Sequence, residues 1–433
     1  MNANTWDKFL GITSFGESHG PLMGVVIESV KPGMIFPIQQ LKKELKRRRP
    51  GGGVVGTTRI EQDDFEIVSG IFQGRTTGMP ICLLFPNCGY NSSDYENLKD
   101  IFRPGHGDYA LWQKFKIYDY RGGGRISGRE TIARVAAGAL VNKALGKIRI
   151  SSRTLGIGPF QTAAVQDNIS NELYWPDKDS LPELLNFLQK LKDGKDSVGG
   201  LVEVQIENIP AGLGDPVFEK LEANLAQAIM SIGGVRGFEI GTGFQLAEMT
   251  GQQANDQITS TGFLSNHAGG IAAGITTGQP VVLRYAVKPT SSIGLSQQTI
   301  DTRGRDRSLL INGRHDTCLI PRIIPVAEAM IKLVLADAIS YQRLLAGKKQ
   351  KLSDLREAVD KIDEDILVAL LRRTRITQQI GRLKRNEHLS ISDADREKKV
   401  LSSLSEKAAN WGFSDIPISD LWQIIFRYSK SRQ

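Results

Sequence analysis

Past residue 350 the 433-residue chain almost lacks glycine and proline: of 45 glycines only Gly381 and Gly412 lie beyond it, and of 17 prolines only Pro417. That scarcity excludes a turn-rich fold for the last stretch and leaves it to long helices, whereas the glycines upstream mark turns and close backbone approaches. Two physically different parts are expected, and the length suggests two or three domains. Cysteine is scarce too. Cys82, Cys88 and Cys318 offer neither a metal-ligand spacing nor an even disulfide set, so no metal site is expected and a reducing cytoplasm fits best. No apolar run approaches the roughly 18 residues of a membrane span. The opening MNANTWDKFL has neither the apolar stretch of a signal peptide nor the Arg/Ser bias of a transit peptide.

Strong charge of one sign is also missing. The net charge of +8 divides into +3 for residues 351–433, which hold 16 basic and 13 acidic side chains, and +5 for the remainder. Neither value demands nucleic acid, whose binders show a denser basic stripe. Small anionic substrates are served equally well. The densest cluster, Arg47-Arg48-Arg49 before Pro-Gly-Gly-Gly, is also what a solvated helix C-terminus would carry.

What the first 345 residues do contain is alternation and loops. MGVVIESV, GMPICLLF, LVEVQIENI and PVVLRYAV read as strands, and 38–49, 129–145, 180–192, 216–230 and 322–345 as helices. The expected class is mixed α/β or α+β. All four histidines of this part, His19, His106, His267 and His315, stand in or beside glycine-rich loops. Glycine lets a ligand approach the main chain and histidine supplies a proton near neutral pH, so together they point to an acid–base site. The run Arg121-Gly-Gly-Gly-Arg125-Ile-Ser127-Gly-Arg129 opens a helix and suits an anion held by backbone N–H groups, without being a Walker or dinucleotide fingerprint. Lys288-Pro289-Thr290-Ser291-Ser292 closes a strand with a cation and hydroxyls, again suited to phosphate.

FGESHG, RRRPG, QGRTTGMP, RPGHGDY, DYRGGGRISGRETIARVAAGA, SNHAGGI, KPTSSI and GRHD stand in the order found in chorismate synthases, and the stretch from about 5 to 345 resembles that family. The resemblance implies a β-α-β sandwich over 1–346, assembled as a homotetramer. It implies elimination of phosphate and a ring hydrogen from 5-enolpyruvylshikimate 3-phosphate to give chorismate, with reduced FMN that is not consumed. By the same resemblance His19 would protonate the departing phosphate, His106 would stabilise the reduced flavin, and Asp316 would assist removal of the ring proton through the flavin. Arg48, Arg49 and Arg129 would bind substrate, with Arg48 in the phosphate and nicotinamide region. Arg125, Ser127, the 288–292 loop and Arg314 would surround FMN. Whether NADPH reduces the flavin on this chain is left open. The sequence departs from the family pattern at Gly52-Gly53-Val54, where a polar pair and arginine are usual, with Arg59 a candidate substitute. It also departs at Gly107 and Gly128 (alanines), Ile126 (serine) and Thr317 (proline).

After a short polar linker, 347–351, the segment 352–433 is heptad-patterned through Leu352, Leu355, Val359, Ile362, Ile366, Ala369, Arg373, Ile376, Ile380 and Leu383. Arg373 is the wrong residue for an apolar seam and must meet an anion or reach water. Lys384 is three turns further on the same face, roughly 16 Å away. Two more helices are expected at about 393–411, capped by Ser392 and stopped by Gly412, and at about 416–431. Arg356, Arg373, Lys384, Asp393, Arg396, Glu397, Ser429 and Gln433 fall at the spacing of the all-helical chorismate mutases, which the segment resembles throughout. That resemblance implies an intertwined dimer in which Arg356 completes the partner's site, and a cofactor-free rearrangement of chorismate to prephenate. Arg356 and Arg373 would grip carboxylates, Lys384 and Gln433 would donate to the ether oxygen, and Arg396 and Glu397 would orient the substrate with Asp393 and Ser429 in support. The alternative is a synthase whose tail only dimerises or regulates. A nucleic-acid-binding zipper would need a basic helix before the heptads, and only Lys348, Lys349 and Lys351 precede them.

Overall fold

The computed structural model describes residues 3–49, 55–56, 63–87, 92–164, 169–311, 316–345, 352–387, 390, 393–410 and 417–432. The chain divides into two compact units, 1–347 and 348–433. In the first, the alternating apolar residues build two antiparallel five-stranded sheets. Leu22–Ile27 pairs with Ile81–Pro86, and Met23, Val25, Ile27, Ile81, Leu83 and Phe85 are fully buried on one face. The first sheet runs Thr5–Asp7, Gly11–Gly16, Leu22–Ile27, Ile81–Pro86, Glu66–Ser69. The second runs Val235–Ile240, Val281–Val287, Gly200–Glu207, Arg149–Ile157, Phe160–Gln161, with Val202, Val204, Ile206, Val281, Leu283 and Tyr285 facing the core.

Helices fill the space between them. Thr131–Val141 packs on the first sheet and on Ile320–Leu345, which in turn packs on Arg149–Ile157 and Gly200–Glu207; Ile38–Arg48 and Leu221–Met230 join the same layer. The result is a sheet–helix–sheet sandwich. The 320–345 helix is buried nearly all round, as its middle position requires. Its charges are matched: Arg47 donates to Glu328 at 2.7 Å and to Glu44 at 2.8 Å, Lys332 lies 3.7 Å from Glu44, and Asp337 accepts from the Leu10 amide at 2.9 Å. The four strands read from the sequence are present. Arg149–Ile157 was not read, because its core-facing Ser152 and Thr154 break the apolar alternation; they donate instead to Glu328 and to the Leu173 carbonyl. The helix Asp108–Phe115 was also missed, being short and weakly amphipathic.

The second unit consists of Leu352–Asn386, Ala394–Asn410 and Ile418–Arg432, the last packed on both others. Ser392 and Gly412 lie outside the described residues. Asp393 is the observed N-cap, its Oδ1 accepting from the Arg396 amide at 2.9 Å. The seam residues Val359, Ile362, Ile366, Ile376, Ile380 and Leu383 are 41–59% exposed, so this unit alone leaves its heptad face uncovered. Among the described residues no helix is long and apolar enough to cross a membrane.

The tightest contact within the helix layer is at Gly138, where a Cβ would stand 2.6 Å from the Ala329 Cβ. Gly138→Ala should destabilise the first unit by about 1–3 kcal/mol, less the roughly 1 kcal/mol gained in helix propensity. Denaturant unfolding measures the loss, and Gly138→Ala with Ala329→Gly should recover part of it.

Candidate active sites

The glycine run does more than turn the chain. Gly122, Gly123 and Gly124 take φ of 61°, 93° and 53°, where L side chains are strained. A Cβ on Gly122 would lie 2.6 Å from His19 Nε2, and one on Gly123 would lie 3.2 Å from His106 Cε1. Two consecutive glycines thus hold the two imidazoles, far apart in sequence, against one stretch of main chain. His19 is buried, with Tyr95 edge-on at 5.0 Å between ring centroids. The adjoining Ser18 hydroxyl is buried and has no hydrogen bond among the described residues.

His106 is held by a carboxylate. Its Nδ1 is 2.7 Å from Asp108 Oδ1, and Arg103 donates to the same carboxylate through Nε at 2.7 Å and Nη2 at 2.8 Å. Burial by itself would raise the Asp108 pKa, but the bonds from Arg103 and His106 outweigh it and hold the carboxyl well below its usual range. An ionised carboxylate only accepts, so His106 donates through Nδ1 and turns Nε2 toward the glycine run.

A third loop joins this one to Asp316. Lys288 Nζ donates to the Gly105 carbonyl at 2.6 Å and Ser291 Oγ does so at 2.7 Å, while Thr290 donates to the Asp316 carbonyl at 2.8 Å. Pro289 is exposed and Ser292 half-buried in the same loop. Burial, with Arg236 nearby, lowers the Lys288 pKa. Asp316 is buried; its Oδ2 accepts from Arg322 at 2.6 Å, and its Oδ1 has no hydrogen bond among the described residues. Arg314 and His315 lie outside the described residues. His267 stands in a different cluster, its ring beside Thr242 at 3.2 Å and its amide on Asp256 at 2.7 Å, so the four-histidine grouping reduces to His19 and His106 among those described.

The arginines divide by partner. Arg47 belongs to the Glu44–Glu328 network. Arg48, almost wholly buried, donates to Asp63 Oδ2 at 2.7 Å. Arg129 donates to Asp63 Oδ1 at 2.9 Å, to Asn87 Oδ1 at 2.6 Å and to the Pro86 carbonyl at 3.1 Å. Asn87 in turn donates to the Glu17 and Gly20 carbonyls, tying this cluster to the His19 loop. Arg49, half-buried, keeps Nε 3.8 Å from Asp63 Oδ2. Arg125 is engaged by Asn4, Ser14 and the Gly16 carbonyl, and Ser127 accepts from the Arg129 amide at 3.4 Å. Arg125 and Arg129 therefore fasten loops with forks that the sequence had assigned to ligands. Sequence reasoning missed Asp63, Arg322, Arg103 and Asp108. The last two had a signal, as the charges three before and two after His106.

In the second unit, Arg373 Nη1 donates to Ser429 Oγ, its guanidinium lies 5.5 Å from the Phe426 ring centroid, and burial lowers its pKa. No carboxylate pairs with Arg373 among the described residues. Glu397 is bridged by Lys430 at 2.7 Å, so neighbours 429 and 430 bring Arg373 and Glu397 to one end of the last helix. Lys384 donates to the Ser390 carbonyl at 2.9 Å. Arg396 and Asp393 are exposed at the start of their helix. Arg356 is exposed and 17 residues before Arg373, about 25 Å along the same helix, so it joins no site within this chain. Gln433 lies outside the described residues.

A sandwich with two imidazoles on a glycine run, and a helical unit with a half-buried arginine lacking a described acid, define two enzyme domains built for anionic ligands. Residues 10–340 match the chorismate synthase family and 355–433 match chorismate mutase type II; the chain belongs to the chorismate synthase family and carries a chorismate mutase domain behind it. The chorismate synthase of Syntrophus aciditrophicus (strain SB) is 47% identical over 351 residues, spanning 79% of this chain and 99% of the relative. That of Desulfosudis oleivorans (strain DSM 6200 / JCM 39069 / Hxd3) is 46% identical over 351 residues, 80% of this chain and 99% of the relative. A chorismate synthase crystal structure superposes with a TM-score of 0.61 at 28% identity, covering 82% of this chain and 98% of that one.

Asp108 makes an acid-stability prediction. Its folded pKa is depressed, so its stabilisation is complete above the unfolded value of about 3.9 and is lost as pH falls through the lower folded value. Asp108→Asn should melt below the parent at neutral pH by a gap that stays constant to about pH 5 and narrows in stronger acid. A gap unchanged down to acid unfolding would count against the ionised Asp108.

Proposed function

We propose that the chain performs two consecutive reactions: elimination of phosphate from 5-enolpyruvylshikimate 3-phosphate to chorismate with reduced FMN, then rearrangement of chorismate to prephenate. The observation that carries the first reading is the placement of His19 and His106 on adjacent glycines, with Asp316 tied to the His106 loop through the 288–291 loop. The residues suit FMN. Glycines with positive φ clear a cradle that any Cβ would fill, and the Ser18 hydroxyl and Asp316 Oδ1 are buried polar atoms with no described partner. Lys288, Thr290 and Ser291 supply a cation and hydroxyls suited to phosphate. Reduced FMN would lend electron density to the reacting ring without being consumed.

Within that reading His19 holds the proton for the departing phosphate. His106, its Nδ1 committed to Asp108, presents Nε2 to the reduced flavin. Asp316, with Oδ1 bare of any described partner and Oδ2 fixed by Arg322, would assist removal of the ring proton. Of the arginine triplet, Arg47 is committed to Glu44 and Glu328, so the part-exposed Arg49 would meet the anionic substrate first, with Arg48 held behind it by Asp63. Charge-assisted contacts of this kind contribute roughly 1.5–3 kcal/mol each. Arg125, Ser127 and Arg314 would be further residues around FMN, and nicotinamide-dependent flavin reduction is a separate question for this chain.

The second reaction needs no cofactor, because it requires only a compact dianion and stabilisation of charge growing on the ether oxygen. Arg373 would take a carboxylate, Lys384 and Gln433 the ether oxygen, and Arg396, Glu397, Asp393 and Ser429 would orient the ring. The uncovered heptad face supports pairing of two tails, and that pairing would deliver Arg356 to the other copy's site. We place the synthase units in a cytoplasmic homotetramer.

Anaerobic incubation with reduced FMN and the enolpyruvyl substrate should release prephenate. Chorismate accumulating alone would favour a tail that only dimerises or regulates. Arg373→Ala should lower only the rearrangement, by about a hundredfold or more, and His106→Ala only the elimination. Loss of both steps in either folded variant would overturn two independent sites.

A further inference from the structure

Gly107 is a glycine whose backbone does not require one. Its φ of −81° and ψ of −2° lie in the right-handed region open to any residue, unlike the positive φ of Gly122, Gly123 and Gly124. What position 107 lacks is room, since a Cβ there would stand 2.5 Å from Ile126 Cδ1. Ile126 fills the volume a side chain at 107 would take. Its Cγ1 also lies 3.6 Å from where a Cβ on Gly123 would be, the same point that His106 Cε1 approaches at 3.2 Å. The isoleucine is thus wedged between the helix start after His106 and the glycine run, beside the imidazole. Yet it remains 43% exposed, an apolar surface among polar loops.

We infer that Ile126, seated on Gly107, is a specificity-determining wall of the flavin cleft. It rests on the proposed function in taking the neighbouring ligand to be FMN. The wedge sets the gap between the His106 loop and the glycine run, and it offers hydrocarbon to an aromatic ring while the surrounding hydroxyls and cations face phosphate. A methyl group on residue 107 cannot coexist with this rotamer of Ile126, so the δ-methyl must swing out of the wall it forms. Shortening residue 126 removes the conflict and also removes the wall. The two positions therefore act as one unit, and their effects on flavin binding are non-additive.

Four full-length forms test this: the parent, Gly107→Ala, Ile126→Ser and the double variant, each titrated with FMN by flavin fluorescence and melted without it. Gly107→Ala should weaken FMN binding severalfold, because the displaced δ-methyl no longer forms the wall. Ile126→Ser should weaken it less. The double variant should match Ile126→Ser alone, and the melting temperatures should follow the same pattern. Additive effects in both readouts, or a Gly107→Ala form that binds FMN like the parent, would overturn the inference. A parent that does not bind FMN would overturn the proposed function and the flavin role of Ile126 with it, whereas FMN binding with an additive cycle would remove the wall alone.

Discussion

Where residues 122 and 123 pass, there is no volume for a side chain. His19 and His106 occupy it, and the backbone follows a left-handed path that glycine adopts at little cost. That steric exclusion sets the rest of the first unit's chemistry. Both imidazoles rest on main chain, and side chains steady them further, Asp108 at His106 and Tyr95 at His19. The sandwich supplies the rigid frame: the His19 loop leaves the central strands of the first sheet, and the 288–291 loop leaves a central strand of the second.

Buried carboxylates fasten those loops, Asp63 across distant segments and Asp108 and Asp316 to neighbours in sequence. Asp63 takes Arg48 and Arg129, Asp108 takes Arg103 and His106, and Asp316 takes Arg322. Each pair removes charge from water, which is costly unless the geometry is good and the remaining oxygens are satisfied. Such pairs are therefore better read as devices of position than of stability. Asp63 shows it best, since its two oxygens bind the arginine triplet and the glycine run at once.

The second unit works by a different economy of parts. It has few turns, three helices and a seam left open, with one half-buried guanidinium resting on Ser429 and Phe426. A small helical unit gains stability by covering such a seam with another copy.

The sequence by itself determined the division near residue 350 and the class of each unit. Apolar period and glycine placement follow from local backbone chemistry, and motif order carries the family. It determined less about roles. His19 and His106 could be named from their loops, but only the tertiary structure set them on adjacent glycines. Arg125 and Arg129 read as ligand-binding forks, and folding engaged them with the chain's own oxygens. Asp63 had no local signature, because its partners Arg48 and Arg129 are distant in sequence, whereas Arg322 stands only six residues after Asp316. Gly107 and Ile126 stood as separate departures in the chain. Their contact depends on two loops meeting, and that is a property of packing, which no single position encodes.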